Sequence, residues 1–559
     1  MNETAAPPAL TSTARAGQTF PKLTPAQVER IASHGSHRST AQGELLYDVG
    51  TLPVQFFVVV RGEIELVHPV EADETLIQVL GPGQFTGELN LLSGRRALAR
   101  ARVRESGEVI EISREQLLLL VQTDFELSET LMRAFILRRV ALMEQGLGDV
   151  VLIGSQFCSG TLRVKQFLSR NAYPYSYVDL ERDTDFQHLL DRFQVSIDDI
   201  PVLICRGQVV LRNPTNRQIA DCLGFNESID QTHVRDVLIV GAGPAGLAAA
   251  VFAASEGLDV LVMESNVPGG QAGASSKIEN FFGFPTGITG QALTGRAYAQ
   301  AQKFGAQVMV ASGAEKIASN RKPYRVESGG GQSVQARTIV IASGAEYRKP
   351  PIDNLSQFEG SGVYYAATFM ESQLCRGEEV VVIGGGNSAG QAAVFLAQTA
   401  RRVYMLVRGD GLADTMSRYL ILRIEQSPAI ELHSNTELCA LEGGNHLEQA
   451  QWRNKKTGEV HRREVRHVFI MAGADPATHW LDGCVALDTK GFVKTGADLT
   501  HKDLRDAQWP LARRPLLLET SLPGVFAVGD VRGGNVKRVA SAVGEGSISI
   551  AFVHQVLAE

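Results

Sequence analysis

The chain has 559 residues, of which 44% are hydrophobic and 21% charged, and its formal net charge is −7 at pH 7. This length predicts three or four domains, and the acidic balance argues against nucleic acid as a partner. No apolar run approaches the roughly 18 residues that cross a bilayer, and residues 1–20 lack the charged start and apolar stretch of a signal peptide. We therefore expect a cytoplasmic protein with no membrane partner.

The cysteines are scattered through the sequence. They are Cys158, Cys205, Cys222, Cys375, Cys439 and Cys484. Because no two of them stand at Cys-x-x-Cys spacing, the pattern favours reduced thiols over a disulfide framework, and it predicts no metal site.

Residues 1–20 and 21–147 differ in pattern. The first stretch is rich in Ala, Pro, Thr and Ser without periodicity, which predicts a disordered tail. The second combines a short helix at 25–32, short β-type runs separated by turn glycines, and a long apolar helix at 114–143. The β-type runs are 43–47, 55–60, 64–68, 77–80 and 109–112. Many short strands closed by one helix predict a β-roll.

The stretch 85–94, FTGELNLLSG, resembles the phosphate cassette of cyclic-nucleotide-binding domains. In that family the glutamate, here Glu88, takes a ribose hydroxyl, backbone amides take the phosphate, and an arginine neutralises its charge. The stretch that should hold this arginine reads RRALAR at 95–100, so the arginine is displaced or absent. A buried phosphate without a paired cation is costly, and binding requires that Arg96 or Arg100 reach it. Two alternatives stay open, a ligand-free docking or dimerisation module and a working cyclic-nucleotide sensor.

Residues 148–225 change to a β-α-β-β pattern, with apolar runs at 150–153, 175–179 and 200–204 and a helix at 161–170. This order is similar to a glutaredoxin or thioredoxin domain. Cys158-Ser159-Gly160-Thr161 falls where that family has its Cys-x-x-Cys, and Ile200-Pro201 where it has its cis-proline. A thiol at a helix N-terminus has a lowered pKa, which makes Cys158 a candidate monothiol nucleophile. The alternative is that the domain is a structural adaptor.

The stretch 236–246, DVLIVGAGPAG, leads an apolar run into Gly241-x-Gly243-x-x-Gly246 and then into an apolar helix. A strand, a tight turn and a helix N-terminus in this order hold a dinucleotide pyrophosphate against free backbone N–H groups. Glu264 closes a second apolar run 23 residues after Gly241. A carboxylate at that distance is expected to bind a ribose hydroxyl.

Residues 234–559 resemble a low-molecular-weight thioredoxin reductase. The resemblance rests on this glycine motif together with PGGQA at 268–272, IENFFGFP at 278–285 and TSLPGVFAVGDVR at 520–532. It implies an FAD site in which Gln271 and Asn280 contact the flavin and ribityl chain, and Asp530 takes a ribityl hydroxyl. The residues implied to bind FAD are Gly241, Gly243, Ala245, Gly246, Glu264, Ser265, Gly270, Gln271, Asn280, Ser343, Gly344, Gly529, Asp530, Arg538, Val539 and Ala540.

We call the glycine turn at Gly241–Gly246 the first cradle. A second cradle follows 143 residues later, where VVVI at 380–383 runs into Gly384-Gly385-Gly386. The next apolar run, 403–407, ends in Arg408 where an NAD site would have an acid. Because a guanidinium binds a 2′-phosphate and a carboxylate repels it, we predict NADPH rather than NADH, with help from Arg402 or Arg418. The residues predicted to bind NADP are Gly384, Gly386, Asn387, Ser388, Ala389 and Arg408.

The reductase family carries a Cys-x-x-Cys shortly before the second cradle, which passes electrons from the flavin to thioredoxin. The matching stretch at 363–371, VYYAATFME, has no cysteine, and Cys375 alone cannot cycle as a disulfide. The usual disulfide relay at this place is therefore excluded. Hydride transfer from nicotinamide to flavin is still expected, because it needs only the two cofactors in contact.

Together these patterns predict an α/β protein with two Rossmann-like domains, one for FAD and one for NADP. The FAD-binding domain comprises 234–352 and 470–559, with the NADP-binding domain at 353–469 inserted between them. A β-roll at 21–147 and a thioredoxin-like domain at 148–225 precede these domains. The two connections are expected to act as hinges, and the resemblance implies a homodimer.

We predict an FAD-dependent NADPH oxidoreductase with three alternatives for the fate of the electrons. In the first, the protein reduces a disulfide through Cys158 or through cysteines of a thioredoxin-like partner. In the second, the flavin passes electrons to ferredoxin, quinone or oxygen. In the third, the protein is a non-catalytic redox or nucleotide sensor.

Overall fold

A computed structural model of the protein describes residues 16–70, 73–155, 158–181, 199–226, 229–318, 321–329, 331–413, 416–481 and 483–559. The chain divides into two compact units. The first comprises Met1–Ser155, Phe167–Asp230 and Ala299–Ala311, and the second comprises Gln156–Gln166, Gln231–Tyr298 and Ser312–Glu559. Within the described ranges, every helix is too short or too polar to cross a membrane.

The first unit begins with the predicted β-roll. Its elements are α1 (Ala16–Thr19), α2 (Pro25–Ala32), β1 (Ser36–Thr40), β2 (Leu45–Tyr47), β3 (Phe56–Val70), β4 (Asp73–Leu80), α3 (Asn90–Ser93), β5 (Arg100–Ile112), α4 (Arg114–Thr123) and α5 (Phe125–Glu144). The strands form one antiparallel sheet in the order β1-β5-β3-β4, with β2 beside β5. Phe56, Phe85 and Phe135 pack together inside it and are fully buried. The β-roll prediction is confirmed.

The prediction of separate strands at 55–60 and 64–68 is wrong, because β3 runs through both. Its pairing with β5 shifts register around Arg61 and Glu63 instead of turning back. Gly62 has φ +85°, and a Cβ there would lie 2.5 Å from the carbonyl oxygen of Glu105. The glycine therefore serves a β-bulge, which the sequence pattern does not separate from a turn.

The predicted helix at 114–143 is two helices, α4 and α5. Asp124 between them has an extended backbone (φ −104°, ψ 104°), and its side chain accepts the backbone N–H of Leu127 at 3.0 Å. Aspartate is a strong N-cap residue, so the helix restarts at this point. The apolar run on both sides hides the break from a periodicity argument.

The prediction of a disordered tail fails for residues 16–20, while residues 1–15 lie outside the described chain. Thr19 and Phe20 are buried, at 5% and 6% exposure. Arg138 of α5 donates to the Thr19 carbonyl at 2.9 Å, and its guanidinium lies 4.7 Å from the centre of the Phe20 ring. A contact with a helix more than a hundred residues away overrides the local composition.

The described part of 148–225, which leaves out 156–157 and 182–198, carries the predicted β-α-β-β order and two further elements. The elements are β6 (Val150–Gly154), α6 (Ser159–Arg170), β7 (Ser176–Asp179), β8 (Val202–Cys205), β9 (Val209–Arg212) and α7 (Asn216–Leu223). The sheet order is β7-β6-β8-β9, with β7 parallel to β6 and the other pairs antiparallel. The Ile200–Pro201 peptide bond is cis, as predicted.

The region predicted to bind the two nucleotides begins with β10. Its elements up to the second cradle are β10 (Val234–Val240), α8 (Pro244–Ser255), β11 (Val260–Met263), α9 (Gly270–Gly273), α10 (Gly290–Lys303), β12 (Gln307–Met309), β13 (Ala314–Ala318), β14 (Tyr324–Ser328), β15 (Ser333–Ile341) and β16 (Ala345–Tyr347). In the second unit β10 lies parallel between β11 and β15. The central strands are apolar along their length because both faces of a parallel sheet are buried.

A second parallel sheet follows. Its region contains α11 (Leu355–Phe358), β17 (Val363–Tyr364), α12 (Phe369–Leu374), β18 (Glu379–Ile383), α13 (Asn387–Leu396), β19 (Arg402–Leu406), α14 (Arg418–Gln426), β20 (Ile430–His433), β21 (Thr436–Gly443), β22 (Leu447–Asn454), β23 (Val460–Arg463) and β24 (His467–Ile470). The sheet order is β17-β24-β18-β19-β20, and β21-β22-β23 form a separate antiparallel sheet. Val380 and Val382 pack on one face of the sheet, and Val381 and Ile383 on the other.

The last elements return to the first of these sheets. They are β25 (Ala474–Pro476), α15 (His501–Asp506), β26 (Val525–Ala527) and α16 (Val539–Ala558), with short 3-10 helices at His479–Leu481, Gly496–Asp498 and Gly529–Val531. β26 pairs in parallel with β15. β25 pairs antiparallel with β16, so the segments leading into and out of the inserted region form one ribbon. The predicted α/β fold with two Rossmann-like sheets is confirmed.

Candidate functional site

The first glycine turn joins β10 to α8. Gly241 has φ +105°, and a Cβ there would lie 2.3 Å from the Ala342 carbonyl oxygen. A Cβ on Gly246 would lie 1.8 Å from the oxygen of Gly241. Gly243 occupies the N-cap position of α8 and supplies no side-chain cap. The first N–H groups of the helix are therefore open to an anionic group such as a pyrophosphate.

Glu264 follows β11 at the edge of this turn. Its side chain is buried, and its two oxygens accept the backbone N–H groups of Ala242 at 2.7 Å and Asn266 at 2.8 Å. These bonds fix the carboxylate beside the cradle. Because each carboxylate oxygen can accept more than one hydrogen bond, Glu264 can still take a ribose hydroxyl.

Residues 529–546, near the end of the chain, pack against the first cradle at Ala245. A Cβ on Gly529 would lie 2.9 Å from the Cβ of Ala245, and one on Gly546 would lie 2.2 Å from the Ala245 carbonyl oxygen. The Gly529 N–H donates to Glu545 of α16 at 2.7 Å. Residues more than 280 positions apart are thus brought together, as the resemblance implied.

Asp530 lies beside this contact and is partly buried. Burial raises the pKa of its carboxyl, which the charge of Lys537 opposes. Lys537 also donates to the Asp530 carbonyl at 2.9 Å. A partly desolvated carboxylate at the edge of the cradle can take a hydroxyl hydrogen bond, since such a bond favours its charged form.

The remaining predicted FAD residues fall into two groups. A Cβ on Gly270 would lie 2.9 Å from the Cα of Gly243, and the Ser343 hydroxyl donates to the Ala477 carbonyl at 2.8 Å, next to Gly344. These residues join the cradle or the chain beside it. Ser265, Asn280 and, at the start of α16, Arg538 and Ala540 are exposed, and Val539 packs against a small apolar cluster that includes Ile278.

The second glycine turn repeats the construction of the first. Gly384 has φ +140°, and a Cβ there would lie 2.5 Å from the Met471 carbonyl oxygen. Gly386 is the N-cap of α13, has no side-chain cap, and has open space where a Cβ would stand. Asn387 accepts the backbone N–H of Ser417 at 2.7 Å, and Ala389 is fully buried behind the turn. This turn can therefore hold a second pyrophosphate.

Arg408 is exposed two residues beyond the end of β19, and among the described residues no hydrogen bond or ion pair engages it. The expectation that Arg402 helps it is wrong. Arg402 begins β19, roughly 20 Å away at about 3.3 Å per residue, and its guanidinium pairs with Glu431 at 2.8 Å. Arg418 is exposed at the first position of α14.

A pocket lies where the two cradled regions approach each other in the second unit. Its lining residues are Gln271, Ala274, Ser275, Ser276, Tyr347, Tyr365, Ala366, Ala367, Ser388, Gln391, Ala392 and Met471. Gln271 donates to the Ala345 carbonyl at 2.8 Å, and Tyr347 and Ser388 both line the pocket. The ring of Tyr347 packs against the apolar core that contains Ala389 of the second cradle, and burial raises its pKa.

The stretch 363–371 reaches this pocket through Tyr365, Ala366 and Ala367. Cys375 lies at the end of α12, fully buried, with its thiol donating to the Glu371 carbonyl at 3.3 Å. Burial raises the pKa of Cys375 to about 12, so it stays a thiol. Cys158, which precedes α6, is partly exposed.

The β-roll encloses an apolar cavity, and Arg138 is the one cation among the described residues that line it. Glu88 is turned to an ion pair with Arg139 and accepts the Asn90 N–H at 3.1 Å. Arg96 and Arg100 do not line the cavity; Arg100 pairs with Asp48 at 2.7 Å and with Glu74 at 2.6 Å. Ala97, Leu98 and Ala99 line the wall instead.

Sequence reasoning missed Tyr347, Tyr365 and Glu545. Tyr347 and Tyr365 lie in stretches without a motif, and only the β16–β25 ribbon and the second sheet bring them to the pocket. Glu545 falls within the glycine-rich start of α16, where an acid between two glycines was the available signal. Its pairing with Arg532 at 2.6 Å orients it toward Gly529.

Comparison with known proteins places this geometry in a family. Residues 235–546 match the family model of the pyridine nucleotide-disulphide oxidoreductases, and residues 37–124 match that of the cyclic nucleotide-binding domain. The chain therefore belongs to the pyridine nucleotide-disulphide oxidoreductase family, as a thioredoxin reductase-like NAD(P)H/FAD oxidoreductase with an N-terminal cyclic nucleotide-binding domain.

Its relatives are thioredoxin reductases. The chain is 32% identical to that of Mycolicibacterium smegmatis over 59% of its own length and 99% of the relative. It is 30% identical to NADPH-dependent thioredoxin reductase 3 of Arabidopsis thaliana over 61% of its own length, and spans 64% of that protein. Among solved structures, thioredoxin reductase of Lactococcus lactis matches with a TM-score of 0.52 and 26% identity, covering 58% of this chain and 99% of that one. The thioredoxin reductase family binds FAD and NADPH.

Proposed function

We propose that the protein transfers a hydride from NADPH to bound FAD and passes the electrons to a redox partner without a dithiol at 363–371. The observation that carries the proposal is the pocket between the cradles, to which this stretch contributes Tyr365, Ala366 and Ala367 and no thiol. Cys375, the nearest cysteine in sequence, is buried and held as a thiol.

The residues present fit FAD at the first cradle. Gly241, Gly243 and Gly246 leave room and free N–H groups for the pyrophosphate, and Glu264 is fixed where it can hold the ribose. Asp530 would hold a ribityl hydroxyl, and the uncapped start of α16 would place the positive end of its dipole toward the flavin ring. FAD, when bound, accepts a hydride from nicotinamide and releases electrons to an acceptor.

The second cradle supports NADPH as the hydride donor. Gly386 leaves open space at the N-terminus of α13, and Arg408 is exposed without a partner among the described residues. An unpaired guanidinium can take a 2′-phosphate in a charge-assisted hydrogen bond. Tyr347 and Ser388 lie at the pocket, where they would orient the nicotinamide and exclude water.

The acceptor divides the proposal into the two catalytic alternatives. A thioredoxin-like disulfide substrate would bring its own cysteines or use Cys158, whereas ferredoxin, a quinone or oxygen would take electrons directly from the flavin. None of the described residues that line the pocket carries a thiol, which favours direct transfer.

Anaerobic reduction by NADPH or NADH, followed by reoxidation with thioredoxin, ferredoxin, a soluble quinone or oxygen, tests the proposal. We expect NADPH to bleach the flavin and the quinone to restore its colour. Flavin that stays oxidised under NADPH would refute the hydride step. A wild-type protein that reduces thioredoxin and a Cys158→Ser variant that does not would favour the disulfide alternative.

We infer further that the β-roll binds no cyclic nucleotide and acts as a docking or dimerisation module. Its cavity wall at Ala97, Leu98 and Ala99 offers a phosphate no charge, and Arg138, the one cation among the described lining residues, donates to the carbonyls of Thr19 and Gly87. Arg100 is engaged by two carboxylates, and Glu88 by Arg139. Calorimetric titration with cyclic AMP and cyclic GMP should give no binding heat. Micromolar binding of either would restore the sensor alternative.

A further inference from the structure

The loop that follows β19 is joined to two later segments of the chain by backbone hydrogen bonds. Asn435, in the connection between β20 and β21, donates its N–H to the Gly409 carbonyl at 2.9 Å. Lys455, in the connection between β22 and β23, donates its N–H to the Asn435 carbonyl at 2.7 Å. Gly409 is the residue after Arg408, so two successive hydrogen bonds bring the β22–β23 turn to the loop that holds this arginine.

The register of the small antiparallel sheet explains why the turn lies there. Thr436, the first residue of β21, is opposite Asn454, the last residue of β22. β20 runs parallel to β19 with His433 opposite Leu406, so β21 begins at the edge of the larger sheet where β19 ends. Nucleotides bind at the carboxyl edge of open α/β sheets. The turn at 455–459 therefore lies on the side of the sheet where we place NADPH.

Asn454 fixes the backbone of this turn. Its side-chain oxygen accepts the N–H groups of Lys456 at 2.9 Å and of Thr457 at 3.1 Å. The Gly458 N–H donates to the Asn454 carbonyl at 2.9 Å, and Gly458 has φ +76°. A side chain that bonds to the backbone two residues on, followed by a left-handed glycine, forms an ordered tight turn. The fold thus sets the position of the two lysines in the turn.

The cations of the loop and the turn differ in their partners. Arg408 and Lys455 are exposed, and among the described residues no hydrogen bond or ion pair engages either side chain. Lys456 forms an ion pair with Asp410, the acid of the described loop 407–413. Two unpaired cations therefore lie next to each other along the chain of backbone hydrogen bonds, and the acid between them is neutralised.

We propose that Lys455 is a second specificity-determining residue that binds the 2′-phosphate of NADPH together with Arg408, and that Lys456 assists by neutralising Asp410. This proposal rests on the proposed use of NADPH. A phosphate monoester carries a charge between about −1.5 and −2 at neutral pH, so one guanidinium leaves part of it unpaired. The flexible stem of lysine delivers a compact second charge. NADH has a hydroxyl at this position and gains little from either cation.

Calorimetric titration of the full-length protein, loaded with FAD, with 2′,5′-ADP and with 5′-AMP tests the proposal without hydride transfer. The two nucleotides differ only in the 2′-phosphate. We expect Lys455→Ala to weaken binding of 2′,5′-ADP roughly three- to tenfold and to leave binding of 5′-AMP unchanged. Lys455→Arg should keep the wild-type affinities, because it keeps the charge. Lys502→Ala, at an exposed lysine of α15, is the matched control and should change neither affinity.

The assisting role of Lys456 is tested with a second pair of variants. Lys456→Ala leaves the Asp410 carboxylate without its ion pair and should weaken binding of 2′,5′-ADP by repulsion. Adding Asp410→Asn to this variant should restore the wild-type affinity. A loss that the second substitution does not restore would overturn the neutralising role.

The role of Lys455 is wrong if Lys455→Ala binds 2′,5′-ADP as tightly as the wild type, or if it loses affinity for both nucleotides by the same factor. Arg408→Ala distinguishes this failure from a failure of the proposed function. If Arg408→Ala weakens binding of 2′,5′-ADP and Lys455→Ala does not, only the assignment of Lys455 fails. If neither variant changes that affinity, the 2′-phosphate site lies elsewhere and both proposals fail.

Discussion

The two glycine turns of the second unit share one strand–turn–helix arrangement, but a different type of residue follows the next strand in each. Each leads from a buried parallel strand into a helix whose N-cap glycine supplies no side chain, and each needs a glycine with positive φ at its first position. They differ at the residue that follows the next strand. Glu264 is buried and held by two backbone N–H groups, whereas Arg408 is exposed and unpaired among the described residues.

This difference indicates that nucleotide binding and nucleotide selectivity depend on different residues. The glycines provide a cradle that any dinucleotide can use, because it recognises a pyrophosphate through backbone groups. In the proposed sites, the residue at the end of the second strand then selects by charge. A fixed carboxylate suits a cofactor that stays bound, and a free guanidinium suits one that enters, reacts and leaves.

The largest effect on FAD binding is expected from a side chain placed in the first cradle. A Cβ on Gly246 would lie 1.8 Å from the Gly241 carbonyl oxygen, a backbone atom that cannot move aside, so Gly246→Ala should yield protein without FAD. The ratio of flavin to protein absorbance measures this. Gly386→Ala, at an N-cap glycine with open space around it, should keep normal flavin content. Full flavin content in Gly246→Ala would show that the cradle is not the FAD site.

The next largest effect on FAD binding is expected from loss of the Glu264 carboxylate. Glu264→Ala removes an acceptor from two backbone N–H groups as well as from the ribose, and charge-assisted hydrogen bonds contribute about 1.5–3 kcal/mol, so FAD affinity should fall roughly 10- to 100-fold. Fluorescence titration of the apoprotein with FAD measures the change. Glu256→Ala, at an exposed acid paired with His554, is the control, and equal losses in the two variants would contradict the assignment of Glu264 to the FAD site.

A selective effect is expected at Arg408. Arg408→Ala should raise the KM for NADPH by roughly tenfold or more and leave the KM for NADH unchanged, because only NADPH carries the 2′-phosphate. Steady-state reduction of a quinone with each donor provides both values. Arg402→Ala at the opposite end of β19 should change neither, and a parallel loss with both donors in Arg408→Ala would contradict the 2′-phosphate role.

The smallest effect is expected from Gly386→Ala on the second cradle. Its Cβ meets no protein atom within 4 Å, so thermal stability should stay at the wild-type value while the Kd for NADPH rises severalfold. Gly384→Ala, whose Cβ would lie 2.5 Å from the Met471 carbonyl, should lower both stability and affinity. Unchanged NADPH binding in Gly386→Ala would mean that the cofactor does not approach this residue.

The sequence predicts those parts of the molecule that repeat a local rule. Strand, glycine turn and helix follow one another at both cradles, so Gly241, Gly246 and Gly384 can be found without a structure. Asp530 could be assigned only through the resemblance, because β26 brings it back over almost two hundred residues. Tyr347 carries no local pattern, since the residues that line the pocket with it come from distant elements. The β3 bulge and the Asp124 break were missed because a bulge resembles a turn, and one cap inside an apolar run leaves its periodicity intact.

The central claim is that electrons leave the flavin without a thiol at the pocket. The most direct measurement is the anaerobic rate of NADPH-dependent quinone reduction by a Cys158→Ser, Cys375→Ser double variant loaded with FAD. We predict a rate equal to that of the wild type, because neither sulfur lies on the electron path. The claim would be contradicted if the variant still contained FAD and NADPH still bleached its flavin, but quinone reduction was lost. In that case electron transfer to the acceptor would require a cysteine.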